Sequence, residues 1–455
     1  MAIGKGVQYA GQFKLAECKL ISSTGVVARL DTSVIEINIF ENIFSQSLIV
    51  KLSILDTNNM VMNMPIVGQE YVKLKIVTPG VGEFDFTDNV FVVHRVSLRT
   101  DSSNSSQIYE LSLVTPESLR NARTRVSKSY DDTVSNIVTS ILRDERYINT
   151  NKEIHVDNTD VVRKFVAPNL RPNTFISHLT REATSAKYGG SPQYLFFENT
   201  RGFNFRVLDS LYSQPFKGEF VASEPALIEG ENKTSNLEQD YRRIVNLSIN
   251  NTNDTLISSM GGMLSSKLTT YNMYFKNFEE TTFNYFDNFK DYGRIDQNPI
   301  YNNIVIDKFN NSIGDFSNAR VHLHPSTQTD GLDNIGDNLY SDNQSEKWIL
   351  HRRSKTLEMQ GGLTMEIKIH GYCNIAVGDK VKLTLPVTGK DHGKSKVDTF
   401  YRDEFLITTL RHTFDLQERK HFTLMSVFKD SMPAEFKNVG SSKEPRGKRE
   451  LIVNY

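Results

Sequence analysis

Two histidine placements come closest to suggesting chemistry. His322-Leu323-His324 alternates, so on a strand both imidazoles share a face; His370 and Cys373 lie three residues apart. A zinc site takes three or four ligands. Neither pair reaches that number, so the ten histidines read as ordinary surface or core residues. Cys18 and Cys373 are the only cysteines. They make no disulfide framework and no paired-cysteine zinc spacing. Two reduced, partly buried thiols are expected, in a chain made in a reducing cytoplasm. A glycosidase needs two opposed carboxylates across a cleft, and among 54 acidic residues no motif singles out a pair. A serine nucleophile elbow, a phosphate-cradling P-loop and a dinucleotide glycine fingerprint are all absent. Gly261-Gly262 stands without such a pattern and reads as loop. The sequence thus assigns no catalytic residue, no metal ligand and no cofactor, and the expected protein is not an enzyme.

Aromatic residues offer a different chemistry. Tyr271, Tyr274, Phe275, Phe278, Phe283, Tyr285 and Phe286 crowd one stretch. Exposed, they would stack on sugars, as in a carbohydrate-binding receptor-recognition protein. Buried, they would be the core of an accessory lobe. The lone Trp348 makes a sugar platform less attractive. The charged stretch 437–449 mixes its Lys and Arg with Glu435, Glu444 and Glu450, which fits a solvated or partner-binding tail better than a nucleic-acid arm. A net charge of −1 gives no whole-protein attraction to nucleic acid or anionic membrane.

The elements that must carry these residues are mostly strands. A chain of 455 residues is too long for one ordinary core. Its hydrophobic share of 38 % and charged share of 24 % fit a folded globular protein. The N-terminus lacks an apolar signal-peptide core, and no run approaches the ~20 apolar residues of a membrane helix. The chain is expected to be cytosolic when synthesised.

Within residues 13–114, period-two patterns place Ile35, Ile37 and Ile39 on one face, Leu48, Val50, Leu52 and Ile54 on another, and Val72, Leu74 and Ile76 opposite Lys73 and Lys75. Residues 91–98 and 108–114 add two strands, and residues 56–59 are turn chemistry. Such alternation marks antiparallel sheet with one buried face. After Pro116 the period changes. Val134, Ile137, Val138, Ile141 and Leu142 form one face of a helix, with Asp131 and Asp132 near its positive end. A second helix is predicted over 174–186, with Asn173 as N-cap and Phe175, Ile176, Leu179 and Ala183 buried. A hairpin follows, 194–197 and 203–208, turning at 199–202. Strand patterning returns at 243–249, and again at 363–369, 381–385, 404–414 and 421–428, with a turn at Gly378-Asp379. Residues 271–345 are weakly periodic and carry no assignment.

Several stretches resemble one family in their order along the chain. They are Ile108-Tyr109-Glu110-Leu111-Ser112-Leu113 with the helix through Ile137-Val138; Pro168-Asn169-Leu170-Arg171-Pro172-Asn173 leading into the second helix and the hairpin; Ile369-His370-Gly371-Tyr372-Cys373-Asn374-Ile375-Ala376-Val377-Gly378-Asp379-Lys380-Val381; and the pair of strands after Tyr401. The chain resembles the baseplate hub of contractile-tailed bacteriophages, related to the N-terminal part of type VI secretion spike proteins. That resemblance implies a mainly β fold with α+β insertions: two tail-tube-like antiparallel β-barrel domains and an inserted α/β domain. The expected division is 1–115 first barrel, 116–210 insertion, 211–270 with 346–430 second barrel, 271–345 accessory insertion, and 431–455 flexible tail. It further implies a structural homotrimer that adapts a sixfold tail tube to a threefold central spike and encloses a channel. Its partners would be the spike, the tail tube or tube initiator, baseplate wedge proteins and the tape measure protein, with DNA only in transit. Its place would be the virion tail baseplate, after assembly in the host cytoplasm. Besides the sugar-binding reading, a hub carrying cell-wall hydrolase activity is the enzymatic alternative.

Overall fold

The computed structural model describes residues 7–58, 60, 64, 66–103, 106–160, 162–222, 237–251, 254–272, 276–326, 344–386, 398 and 401–434. The fold is mainly β, with helices gathered in the middle of the chain and a large, chiefly antiparallel sheet.

Seven strands open the chain: β1 (Lys14–Ile21), β2 (Val27–Arg29), β3 (Val34–Asn42), β4 (Ile49–Asp56), β5 (Tyr71–Thr78), β6 (Gly82–Ser103) and β7 (Ser106–Val114). Alternation decides their burial. Leu48, Val50, Leu52 and Ile54 are buried, as are Val72, Leu74 and Ile76. On β3 the prediction misses by one residue. The register slips between Val34 and Glu36 against β4, a β-bulge, so Val34 enters the core and Ile35 is left half-buried. β6 starts earlier than its apolar stretch, because Phe84 and Phe86 already alternate into the same core.

The helical part follows as α1 (Pro116–Arg123), β8 (Ser129–Thr133), α2 (Val134–Arg143), β9 (Glu153–Val156), β10 (Val162–Val166), α3 (Pro172–Glu182), β11 (Tyr194–Asn199), β12 (Gly202–Val207) and α4 (Leu208–Ser213). The stripe of α2 is buried throughout and shares one core with Phe175, Ile176, Leu179 and Ala183 of α3 and with the hairpin. α3 begins two residues before the predicted start. Pro172, with its preset φ and no N–H to satisfy, takes the first turn, and Arg171 rather than Asn173 is the N-cap. It also stops at Glu182 rather than 186, where Ala183 is extended. Ile137 is 1 % exposed. An Ile137→Asp chain buries an unpaired carboxylate at several kcal/mol, a large part of an ordinary domain stability of about 5–15 kcal/mol. Limited proteolysis should cut that variant within 116–210; a variant as resistant as the native chain contradicts the packing.

The rest comprises β13 (Phe216–Val221), α5 (Leu237–Arg242), β14 (Ile244–Asn251), α6 (Thr255–Gly261), β15 (Ser265–Asn272), β16 (Asn277–Asn284), β17 (Asn298–Pro299), β18 (Val321–Ser326), a π-helix (Lys347–His351) running into α7 (Arg352–Gly361), β19 (Leu363–His370), β20 (Lys380–Thr384), β21 (Asp403–Asp415), β22 (Lys420–Lys429) and β23 (Ser431–Met432). Gly261-Gly262 is not plain loop: Gly261 ends α6, and Gly262 caps it at φ 81°, the left-handed turn glycine favours. The stretch left unassigned builds a three-stranded sheet, β16-β15-β18. Its core joins Phe283, Tyr285 and Phe289 to Met263, Leu264, Leu268 and Leu350, so it draws on residues either side of 271–345. Ser431 and Met432, expected in the flexible tail, pair with Asn298 and Pro299 and are buried. Residues 435–455, the remainder of that tail, lie outside the described residues, as do Tyr274 and Phe275.

The first and last β parts do not form separate sheets. β21 pairs with β3 over Thr409–Asn42 to Asp415–Glu36, so a single hydrogen-bonded path runs through both, although their cores are distinct. Among the described strands three pairings depart from antiparallel: β13–β20, β9–β12 and β15–β18.

Candidate functional site

Eight consecutive strands of the large sheet, β14-β19-β22-β21-β3-β4-β7-β6, are all joined antiparallel. Side chains alternate between two faces of such a band. One face covers the cores. The registers place the other on Asn246 and Ser248, then Glu366 and Lys368, Leu424 and Ser426, Thr409 and Arg411, Glu36 and Phe40, Lys51 and Ser53, Glu110 and Ser112, and Arg95 and Ser97. From β21 to β6 the charge changes sign at every strand: Arg411, Glu36, Lys51, Glu110, Arg95. Neighbours neutralise one another, Lys51 to Glu110 at 3.0 Å and Arg411 to Glu36 at 3.5 Å. Arg411 lies over the Phe40 ring and Lys368 over that of Phe422, which masks two of the few aromatic rings present. A groove of about 380 Å³ follows the face past Phe40, Arg411 and Leu424. This surface is polar, balanced in sign and continuous.

The band is bare along β14 at one end and along the second half of β6 at the other. Among the described residues, β14 pairs only with β19, and β6 beyond Arg95 pairs only with β7. At the first edge Val245 and Ile249 are 46 % and 45 % exposed. A long edge with open N–H and C=O groups and uncovered apolar side chains is a template for another strand.

Buried charges fix the rest to this band. Glu41 of β3, 2 % exposed, accepts N–H bonds from Thr200 at the hairpin tip and from Val377 in the loop before β20. Burial pushes its carboxyl up. Arg201 beside it grips Asp379 with two bonds of 2.9 and 2.7 Å. On the other side of the hairpin, Glu198 accepts from Leu48 N and Thr115 Oγ1 and pairs with Lys152, which also meets Glu117. These bonds lock the α/β part against the sheet. A cavity of about 620 Å³ lies beside Arg201, and Asp379, already held by that arginine, is the only carboxylate lining it among the described residues. The opposed pair a glycosidase requires is missing there.

The residues singled out in the sequence fall elsewhere. His322 and His324 do share a face of a strand, β18, and His324 packs against Trp348 at 5.1 Å. His370 lies against Phe422, while Cys373 Sγ is 3.3 Å from Thr78 Oγ1. Among the described residues no three His, Cys, Asp or Glu side chains come together as a metal group. Both cysteines are free, and burial raises each thiol to about 12. Of the aromatic stretch, Phe283 and Tyr285 are core, and Phe278 is exposed against Tyr271 at 4.7 Å.

No family model matches the chain, and no curated protein matches it in sequence. Solved structures do match in shape. A tail protein from Neisseria meningitidis superposes with a TM-score of 0.50 over 93 % of this chain and 98 % of its own, at 11 % identity. The chain has the fold of that tail protein. The neighbouring matches are likewise a prophage tail protein from Shewanella oneidensis, with a TM-score of 0.49, 10 % identity and coverage of 91 % and 99 %, and one from Listeria monocytogenes, with 0.45, 11 % identity and coverage of 91 % and 96 %. At such identities the likeness speaks for fold and for nothing finer.

Proposed function

We propose that the protein is a structural baseplate hub of a contractile phage tail, a ring of three chains enclosing a channel. The observation that carries this reading is the eight-stranded polar band with two bare edges. Eight alternating antiparallel strands leave β14 and β6 running in opposite directions. Copies related by rotation therefore set β14 of one beside β6 of the next in antiparallel register, and the ring closes with no edge left over. At about 4.8 Å between strands, three copies give a backbone circle roughly 37 Å across and two copies roughly 25 Å, before strand tilt widens them. The larger circle has room for a layer of side chains and a duplex whose grooves reach about 8 Å deep on either side.

The two halves of the band, four strands from each β part, are the counterparts of two tube subunits, so three chains mimic six. Residues 13–114 should superpose on 244–251 plus 363–429, since 263–272 belongs to the separate lobe. Spike, tube, wedge and tape measure proteins are the partners of such a ring, and DNA passes through it. The alternating charges fit passage, since a wall of unpaired cations would hold phosphate through counterion release. The purified ring should not retain duplex DNA in its channel at physiological salt; salt-sensitive retention abolished by Arg95→Ala and Lys51→Ala would overturn the channel reading.

Sedimentation velocity tests the ring. The native chain should run as a particle of about 155 kDa, three times its 51.8 kDa. Val245→Lys with Ile249→Lys, placed on the bare edge, should yield folded single chains. A native protein that stays a single chain at every concentration would sink the proposal.

A further inference from the structure

Four arginines gather where the α/β part meets the lobe built on β15, β16 and β18. Arg320 immediately precedes β18, and its Cβ packs on Gly262. Arg353 of α7 donates from Nε to the Gly261 carbonyl at 2.5 Å. Arg352, next to it, faces Arg181 of α3, and its Nε is buried with no hydrogen-bond partner. Among the described residues none of the four has a carboxylate partner, whereas the buried Arg294, Lys355 and Lys429 each pair with at least one. Like charges so placed repel. Burial and the neighbouring Arg181 pull the Arg352 guanidinium down to about 10, and burial with Arg320 lowers Arg353. The turn that delivers Arg352 and Arg353 is a π-helix, Lys347–His351, an irregularity that recurs at functional sites.

We propose that this cluster, together with the open edge of β18, is the docking site for an acidic, extended segment of a partner protein. The edge decides between kinds of anion. Among the described residues β18 pairs only with β15, so its outer side is free to take an added strand. Alternation puts Val321 and Leu323, 51 % and 74 % exposed, on one face and Arg320, His322 and His324 on the other. A strand laid along that edge meets both faces at once. Its matching sequence alternates apolar residues, set beside Val321 and Leu323, with Asp or Glu, set toward Arg320 and Arg353. Duplex DNA would use the cations and leave the apolar face and the backbone edge untouched.

The probe is a fluorescent peptide of alternating valine and glutamate, titrated against the full-length protein by anisotropy. Duplex DNA and vesicles containing phosphatidylglycerol are titrated in parallel. The expected result is peptide binding that weakens with salt, falls at least tenfold in Arg320→Glu and in Arg353→Glu, and falls comparably in Leu323→Asp. A shuffled peptide of the same composition should bind more weakly. Arg181→Glu, on an exposed side chain, keeps the test open if Arg353→Glu fails to fold, and circular dichroism verifies each variant. Peptide binding indifferent to the arginines overturns the proposal. So does tighter binding of DNA or vesicles that depends on the arginines and ignores Leu323.

Discussion

Arg294→Ala lowers the unfolding free energy by about 3–5 kcal/mol, the usual effect of stripping one partner from a buried ion cluster. The guanidinium is bonded to Glu358 and lies 3.3 Å from Asp430, with side chains 8 %, 3 % and 1 % exposed. Tyr285 donates to the same Glu358 at 2.8 Å, and the Phe289 ring stands 4.4 Å from the guanidinium. Around it Lys355 pairs with Asp209 and Lys429 with Asp296. The cluster ties the lobe after β14 to α7 and to the end of β22, so three remote stretches depend on one cation. Without it, two carboxylates stay in the interior unmatched. Burial already raises the Glu358 carboxyl, and in the variant the pull of Arg294 against that rise is lost, leaving the Tyr285 hydrogen bond. Urea denaturation followed by Trp348 fluorescence measures the loss. Adding Glu358→Gln to Arg294→Ala should recover part of it, because one stranded charge disappears. A single-variant loss below about 1 kcal/mol, the range of exposed pairs, contradicts the account.

Acid weakens the joint between the two β parts. His412 of β21 and His421 of β22 are both fully buried, 3.1 Å apart from Nδ1 to Nε2. The His421 ring stacks on Phe414 at 3.9 Å, and Phe84 closes on His412 at 4.8 Å. The His421 backbone binds Gly11 and Gly371, and His412 stands opposite Ile39 on β3. Burial lowers His412 to about 3 and takes His421 well below the ordinary value, with His412 adding to the latter. The folded pair therefore stays neutral while the unfolded chain takes up protons below about pH 6.5. The unfolded state binds more protons, so stability rises with pH. It is fully present above 6.5 and lost as pH falls toward 3, by roughly 1.4 kcal/mol per pH unit for each ring. At pH 5 the pair accounts for about 4 kcal/mol of loss. Glu41, Glu198 and Glu358, raised by burial, act with the opposite sign above the ordinary carboxylate value, so the readout is a difference. His412→Gln with His421→Phe should flatten the slope of stability between pH 6.5 and 5 relative to the native chain. Equal slopes would show that the pair does not titrate on unfolding.

The strands were legible where alternation was strict, as on β4 and β5, and α2 was legible from its stripe. What defeated the reading was local. The bulge at Ile35 shifts one residue without any mark in the side-chain pattern. Pro172 claims the start of α3 over a better capping residue. The lobe around Phe283 was opaque because its core is assembled from stretches nearly ninety residues apart, from Met263 to Leu350, and no window of sequence holds that pattern. The functional face was visible only in part. Each strand shows a polar side, but which strands adjoin is set by the β21–β3 pairing, a contact between residues more than 360 positions apart. The arginine cluster likewise has no signature along the chain, since Arg181 nears Arg352, and Arg320 nears Arg353, only after folding.

The central claim is that the polar band lines the inside of a closed ring. Electron cryo-microscopy of the full-length protein tests it most directly. The account predicts a threefold ring in which β14 of each chain pairs with β6 of the next, with Arg411, Glu36, Lys51 and Glu110 facing the central opening. A ring with these side chains on its outer surface, or copies joined through any edge other than β14 and β6, would contradict it.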